Sequence, residues 1–182
     1  MTDRQPTSRK IGRWPKIAAA CLIPAAVGAL LLPYYQQWKA VEGVRAVGGG
    51  IAGDVSGPMS SWLHERLPRK WSFAVVRVSR IHVDGKQFGD QQLADLSAFR
   101  DLRMLRMGQT HVSDAGLRHL ANLPKLTVLD LSSTTISDEG LQHLNRLSQL
   151  RLLSLEDTQV TPAGIRTLQA TLPDCRIVHS HD

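Results

Sequence analysis

The sequence is poor in the residues that build disulfide frameworks and metal clusters. It has two cysteines among 182 residues, Cys21 in an apolar segment and Cys175 near the end of the chain. Their separation argues against an intrachain disulfide, and no CxxC or Cys/His cluster indicates a structural metal. We therefore expect a fold that is stabilised by its apolar core alone.

The motifs of the common enzyme classes are also missing. The sequence contains no nucleophile elbow, phosphate-binding loop, zinc-protease helix or dinucleotide-binding fingerprint. The glycine run at 48–50 follows no apolar strand and precedes no Lys-Ser/Thr pair, so it does not predict a phosphate site. We expect a protein that is not an enzyme and that uses no cofactor.

Positive charge is concentrated at one end of the chain. Residues 1–16 hold five basic side chains and one aspartate, a net charge of +4. The rest of the chain is almost balanced, with 17 basic and 15 acidic side chains and a net charge of only +2. The high pI therefore describes the basic tail and gives no support for a nucleic-acid partner.

An apolar segment follows the basic tail. No charged side chain occurs from Ile17 to Leu32, and sixteen helical residues span about 24 Å. Extension to Trp38 gives about 33 Å, enough for a bilayer core of roughly 30 Å, with aromatic residues at the far interface. This predicts a single-pass transmembrane helix over 17–38 that contacts lipid, with tail 1–16 in the cytoplasm and the rest of the chain across the membrane.

A cleaved signal peptide is the alternative interpretation of the same segment. It too has a basic start and an apolar centre, and its removal would give a secreted protein. The apolar run is followed by Pro-Tyr-Tyr-Gln-Gln-Trp, which has no small-x-small cleavage pattern. The residues favour the uncleaved anchor over a cleaved signal and over a third alternative, a helix buried in a soluble fold.

A 24-residue period begins at Val78. Three stretches that start at Leu102, Leu126 and Leu150 align without a gap on the pattern L-x-x-L-x-L-x-x-T-x-V/I-x-x-x-G-L/I-x-x-L, with one methionine in place of a leucine. A degraded copy precedes them, with Lys86 replacing the threonine and Gln92 the glycine. Within each copy, apolar residues that alternate with a period of two predict a short strand, and the apolar stripe that follows predicts a helix.

Polar residues recur at the turns of this period. Ser113, Ser137 and Thr161 occupy the position of a helix N-cap, and Pro162 follows at the first helical position. A threonine also recurs between each strand and helix, and its hydroxyl is expected to hydrogen-bond the backbone of the turn. These residues are Thr110, Thr134 and Thr158.

These in-phase copies resemble the leucine-rich-repeat family, in its 24-residue form with a helix on the convex side, and in particular short bacterial membrane-anchored members. The resemblance covers residues 78–178. It implies an α/β solenoid of about four strand–turn–helix repeats with a parallel sheet on the concave face, and recognition of an unidentified protein through that face. Neighbouring repeats must stack, because one strand and one helix cannot bury their apolar faces alone.

The predicted organisation follows from these patterns. After the anchor, residues 39–59 are Gly-rich and predict a flexible spacer. Residues 60–71 can form a short amphipathic helix, and residues 60–77 predict an N-terminal cap on the core. The repeat domain is predicted over 78–182, with repeats at 78–101, 102–125, 126–149 and 150–174 and a closing strand at 175–178.

The outward strand positions define the candidate partner-binding residues. They form three rows across the sheet, and an exposed row of Met, Val and Leu would be a contact surface. Arg106 and Asp130 lie on adjacent predicted strands, where they could pair; a solvated face without function is the alternative. The candidates are Arg80, His82, Asp84, Met104, Arg106, Val128, Asp130, Leu152, Ser154 and Glu156, and Gly108 and Ser132 complete the third row.

Three further hypotheses concern a metal site, self-association and a decayed family member. His119 and His143 are one repeat period apart on the predicted convex side, but without a third ligand we expect no metal site there, nor at the terminal His-Ser-His-Asp. The solenoid could also be a structural component that associates with itself or with a membrane complex. The degraded first repeat leaves open a decayed family member without activity.

Overall fold

A computed structural model describes residues 25–55, 76–85 and 87–180 of the chain. Much of the predicted N-terminal cap, the first part of the predicted anchor and the last two residues lie outside these ranges. The chain divides into two compact units, residues 1–32 and 33–182, and all the repeats lie in the second. Among the described residues, no helix is both long and apolar enough to cross a membrane.

The elements alternate between strands and short helices. The strands are β1 Gly50–Val55, β2 Val76–His82, β3 Met104–Arg106, β4 Val128–Asp130, β5 Leu152–Leu155 and β6 Arg176–His179. The α-helices are α1 Ala25–Ala46, α2 Asp90–Asp95, α3 Asp114–Leu117, α4 Asp138–Leu141 and α5 Pro162–Thr171. Turns of 3-10 helix continue three of them, at Leu96–Ala98, Arg118–Asn122 and Gln142–Arg146.

The described strands form one sheet in the order β1 to β6. β1 is antiparallel to β2, and every later pair is parallel. The parallel partners from β2 to β6 are one repeat period apart, as Leu105 and Leu129 illustrate. The predicted parallel α/β solenoid is therefore confirmed. Its convex side is built of single α-turns and 3-10 turns in the interior repeats, and only α5 is a longer helix.

The core lies between the strands and the convex turns. Leu105, Leu129 and Leu153 point inward from the strands with no measurable exposure, while leucines spaced by three residues along the convex turns meet them. Cys175 is buried at the last repeat, and this burial raises the pKa of its thiol. The repeat period thus places one apolar layer of each repeat against the next.

The threonine hydroxyls bond turn backbone, as the sequence predicts. Thr110 donates to the Met107 carbonyl at 2.7 Å, and Thr134 donates to the Leu131 carbonyl at 2.6 Å. Thr134 is 5% exposed, so water cannot replace this bond. The residue before each threonine has a left-handed backbone, and in the first repeat the equivalent position is Gly85.

A contact between consecutive repeats occurs three times. Asp90 accepts hydrogen bonds from the Ser113 backbone N–H at 2.9 Å and from its hydroxyl at 2.6 Å. Equivalent pairs join Asp114 to Ser137 and Asp138 to Thr161. The predicted caps therefore serve mainly to connect repeats; Ser137 and Thr161 also accept from their own helices, whereas Ser113 does not.

Each of these aspartates lies against a glycine of the next repeat. A Cβ on Gly116 would overlap the Asp90 carboxylate, and the same holds for Gly140 with Asp114 and for Gly164 with Asp138. The glycine of the sequence motif is thus required for a close approach between repeats.

The flexible spacer predicted over 39–59 is wrong for residues 39–55. Ala40, Val41 and Val44 of α1 are buried in the same core as the repeats, because they fall on one face of that helix. The chain then turns through Gly48, which has φ +79°, and Gly49, where a Cβ would overlap Val83 and Val44. These glycines make a tight turn into β1.

We expect Gly116→Ala to lower the free energy of unfolding by about 2 kcal/mol, since Asp90 must move and lose its bonds to Ser113. In an Asp90→Ala background, Gly116→Ala should leave the free energy of unfolding unchanged or raise it, because alanine is a better helix former than glycine by about 1 kcal/mol. Urea unfolding of the four proteins followed by circular dichroism measures this coupling. Additive effects of the two substitutions would contradict it.

We expect Thr134→Val to lower the free energy of unfolding by about 1 kcal/mol, because the buried Leu131 carbonyl loses its donor. The neighbouring Thr135 is exposed, so Thr135→Val is the matched control and should change stability by less than about 0.5 kcal/mol. The same urea titration compares them. Equal effects at both positions would exclude a special role for the buried hydroxyl.

Candidate functional site

The candidate site is the face of the sheet opposite the core. Side chains alternate along a strand, so the residues on either side of each inward leucine point to this face. We call it the open sheet face and define it by two rows, one with Met104, Val128 and Leu152, and one with His82, Arg106, Asp130 and Ser154.

The first row is continuous across four strands. Arg80, Met104, Val128 and Leu152 are direct neighbours in the parallel register, as the sequence predicts. Met104 and Val128 are half-buried, and Leu152 is 36% exposed. We call Met104, Val128 and Leu152 the apolar row. It gives the sheet a stripe that a partner's apolar side chains could cover.

The second row is polar and varies between repeats. His82, Arg106, Asp130 and Ser154 are neighbours in the register. The third predicted row, Asp84, Gly108, Ser132 and Glu156, lies at or just after the ends of the strands. The period therefore brings all the candidate residues to one side of the sheet.

Hydrogen bonds occupy part of this polar surface. His82 pairs with Asp84 at 2.8 Å. Asp130 accepts from the Ser132 backbone at 3.1 Å and from its hydroxyl at 2.6 Å, and the Ser132 and Ser154 hydroxyls are 2.8 Å apart.

The ion pair considered between Arg106 and Asp130 is not formed among the described residues. Asp130 bonds Ser132 of its own repeat, and this leaves the exposed Arg106 guanidinium open to a ligand.

Sequence reasoning missed the two ends of these rows. Arg176 of β6 pairs with Leu152 and extends the first row, and Val178 extends the second. On the other side, β1 adds Ala52 next to Arg80. Counting one more period from Leu152 would have found Arg176; nothing periodic indicates β1.

The side of the sheet where the strands begin is basic. Arg77, Arg80, Arg103 and Arg176 are exposed. Arg77 is opposite Asp54 of β1 in the sheet register, and Arg80, Arg103 and Arg176 form no ion pair with the side chains that the structure describes. Nearby carboxylates are already engaged, Asp101 by Lys125 and Asp174 by Arg151 at 2.9 Å. We call this margin the basic edge.

The basic edge also acts on the carboxylate within it. The hydrogen bond from Lys125 holds the pKa of Asp101 below its usual value, partial burial opposes this, and the charges of Arg77 and Arg103 add to the lowering. The two arginines therefore contribute a positive field here.

The convex histidines show no metal-binding arrangement. His119 lies beside the Arg118 guanidinium, whose Nε is 3.4 Å from His119 Nε2. Over the described ranges, no group of three or more His, Cys, Asp or Glu side chains is placed to hold a metal ion. The open sheet face thus remains the candidate site, with the means to bind a ligand through apolar contact and charge.

Comparisons with known proteins identify the repeat. A sequence model described as the leucine-rich repeat matches residues 122–144. A search of the curated proteins gave no match.

Three solved structures are similar over part of the chain. Internalin C2 from Listeria monocytogenes is 30% identical over 48% of this chain and 36% of its own, with a TM-score of 0.41. A leucine-rich-repeat protein from Leptospira interrogans is 20% identical over 46% of this chain and 21% of its own, with a TM-score of 0.37. The ectodomain of the receptor kinase SOBIR1 from Arabidopsis thaliana is 12% identical over 80% of this chain and 91% of its own, with a TM-score of 0.40.

The chain spans about a third of the internalin C2 structure that it matches. The family itself is indicated by the matched repeat, by the 24-residue register of the parallel strands and by the recurring convex turns. The repeats of this chain are leucine-rich repeats.

Proposed function

We propose that this chain is a membrane-tethered interaction module that binds a protein partner through the open sheet face. The observation that carries the proposal is the apolar row. Three aliphatic side chains lie side by side on a face with no catalytic arrangement among the described residues, where covering them with a partner would remove apolar surface from water.

The fold supports recognition as the mode of action. Leucine-rich-repeat folds generally mediate protein–protein interaction, and this chain carries such repeats. Several of its Ser, His and Asp side chains stack repeats or form single ion pairs, as Asp90 with Ser113 and His82 with Asp84 illustrate. We therefore propose a binding role without enzymatic activity.

Sequence features support the membrane tether. Residues 17–32 are uncharged, the basic tail precedes them, and aromatic residues follow. We propose a single-pass anchor over 17–38 with the tail in the cytoplasm and the repeats outside it. A reporter whose activity depends on the compartment, fused after Asp182, tests the orientation; cytoplasmic activity would reverse it, and release of the mature chain from the membrane would favour a cleaved signal.

A structural role in a membrane assembly is the second candidate. One observation favours it: within the described residues, β6 is the last strand of the sheet, and no further strand lies beside Arg176–Val178. Another copy or another subunit could add a strand there. Sedimentation velocity of the full chain in detergent separates the two, because a monomer at high concentration would argue against self-assembly.

We expect the variant Met104→Glu, Val128→Lys, Leu152→Glu to lose the partner that the unchanged chain captures from native membranes. Charged side chains in this row would have to be desolvated on binding, so retention should fall at least about tenfold. Quantitative affinity capture with both proteins measures the difference, and circular dichroism verifies that the variant folds.

The matched control places similar charges on the convex side. Ala115→Glu, Gln142→Lys and Ala163→Glu change three exposed positions with the same net charge change, and capture should be unaffected. A partner that is held equally by both variants would move recognition to another surface. If neither the unchanged chain nor the control captures a partner, recognition as the function is rejected.

A further inference from the structure

The apolar row is bounded by an arginine at each end. Arg80 precedes Met104 in the register, and Arg176 follows Leu152. Five strands at about 4.8 Å place the outer two positions roughly 19 Å apart. Both arginines are exposed, and neither has a carboxylate partner within the described stretches of the second unit.

The basic edge adds to this charge from one side. Arg77 and Arg103 flank the start of the row. Asp54 of β1 is opposite Arg77 in the register, and two other carboxylates near this edge, Asp101 and Asp174, are bonded to Lys125 and Arg151. The acidic side chains near the open sheet face are at the opposite margin and in the row beside the apolar row. Asp84 pairs with His82, Asp130 of the second row bonds Ser132, and Glu156 is exposed just after β5. A ligand on the apolar row therefore meets guanidinium groups at its ends and along one side.

We infer that the open sheet face takes a polypeptide segment in which a short apolar run is flanked by carboxylates. The inference rests on the proposed function and specifies its partner. Guanidinium groups bind carboxylates with two parallel hydrogen bonds, while the aliphatic side chains of the segment cover the apolar row. An extended segment spans the distance between the two arginines with about six residues, and a helix needs about thirteen.

Charge complementarity favours this occupant over other anions. A nucleic-acid strand would satisfy the arginines, but it has no aliphatic side chains for Met104, Val128 and Leu152. An anionic lipid surface would bring phosphates to the basic edge, yet it would also meet the carboxylates of the opposite margin. A polypeptide can place acidic and apolar groups at the spacing that the register fixes.

The test is a selection from a display library of random peptides about twelve residues long, long enough to cover the row when extended. The full chain in detergent is the target, and the same library is selected in parallel on Arg80→Glu, Arg176→Glu. The unchanged chain should enrich apolar runs flanked by Asp or Glu, and the variant should enrich Lys or Arg flanks instead. An enriched acidic peptide should bind the variant at least about tenfold more weakly and should weaken with added salt.

A control separates this surface from general charge. Arg146→Glu, Arg166→Glu reverses two exposed convex arginines and should leave the selected sequences and their affinities unchanged. Enrichment without acidic flanks, or flanks that do not respond to reversal at Arg80 and Arg176, would overturn the inference. Tighter binding of a labelled oligonucleotide or of anionic lipid vesicles than of the selected peptides would overturn it as well.

The failure of the proposed function gives a different result. Peptides that bind the apolar-row variant as well as the unchanged chain would reject the open sheet face as the site. Peptides that need the apolar row but show no charge preference would keep that site and reject only the acidic partner. No enrichment on any of the proteins would reject both.

Discussion

The stacking of repeats depends on one contact, an aspartate that bonds the backbone and hydroxyl of the next repeat. Asp114 shows all its parts: it accepts from the Ser137 N–H at 2.9 Å and from the Ser137 hydroxyl at 2.6 Å, and it lies where Gly140 leaves room. A part-buried acceptor and a part-buried backbone donor are satisfied together, which avoids the cost of leaving either unpaired. The motif of serine, aspartate and glycine is thus the connector between repeats.

The same contact explains the irregular repeats at the two ends. The first repeat has the acceptor Asp90, but Gly89 and Gln92 replace the serine and the glycine that receive an aspartate in the later repeats. The last repeat has Thr161 and Gly164, but Pro162 stands in the aspartate position and offers no acceptor. The residues that differ in the first and last repeats are those that would make this contact with a further repeat.

The sequence predicts well whatever the 24-residue period controls. The register of Met104, Val128 and Leu152 follows from it, because each strand begins the same distance after the last, and so do the threonine bonds at the turns. The packing of α1 and β1 lies outside the period. Glycines 48–50 suggest flexibility in the sequence, although Gly49 is required by close contact with Val83. From one sequence alone, a glycine that makes the backbone flexible cannot be distinguished from a glycine that is required because a Cβ would overlap a neighbouring residue.

The two components of the candidate site have different weight as evidence for binding. Neighbouring aliphatic side chains on adjacent strands stabilise a sheet by a few tenths of a kcal/mol to about 1 kcal/mol per pair, so the apolar row has a structural reason as well as a functional one. Arg80 and Arg176 have no such reason: they are exposed, they bond no carboxylate in the described residues, and the stacking contact does not involve them. Exposed guanidinium groups at both ends of an apolar stripe repel each other weakly and contribute nothing evident to folding. These two arginines therefore indicate an acidic partner more strongly than the aliphatic residues between them indicate an apolar one.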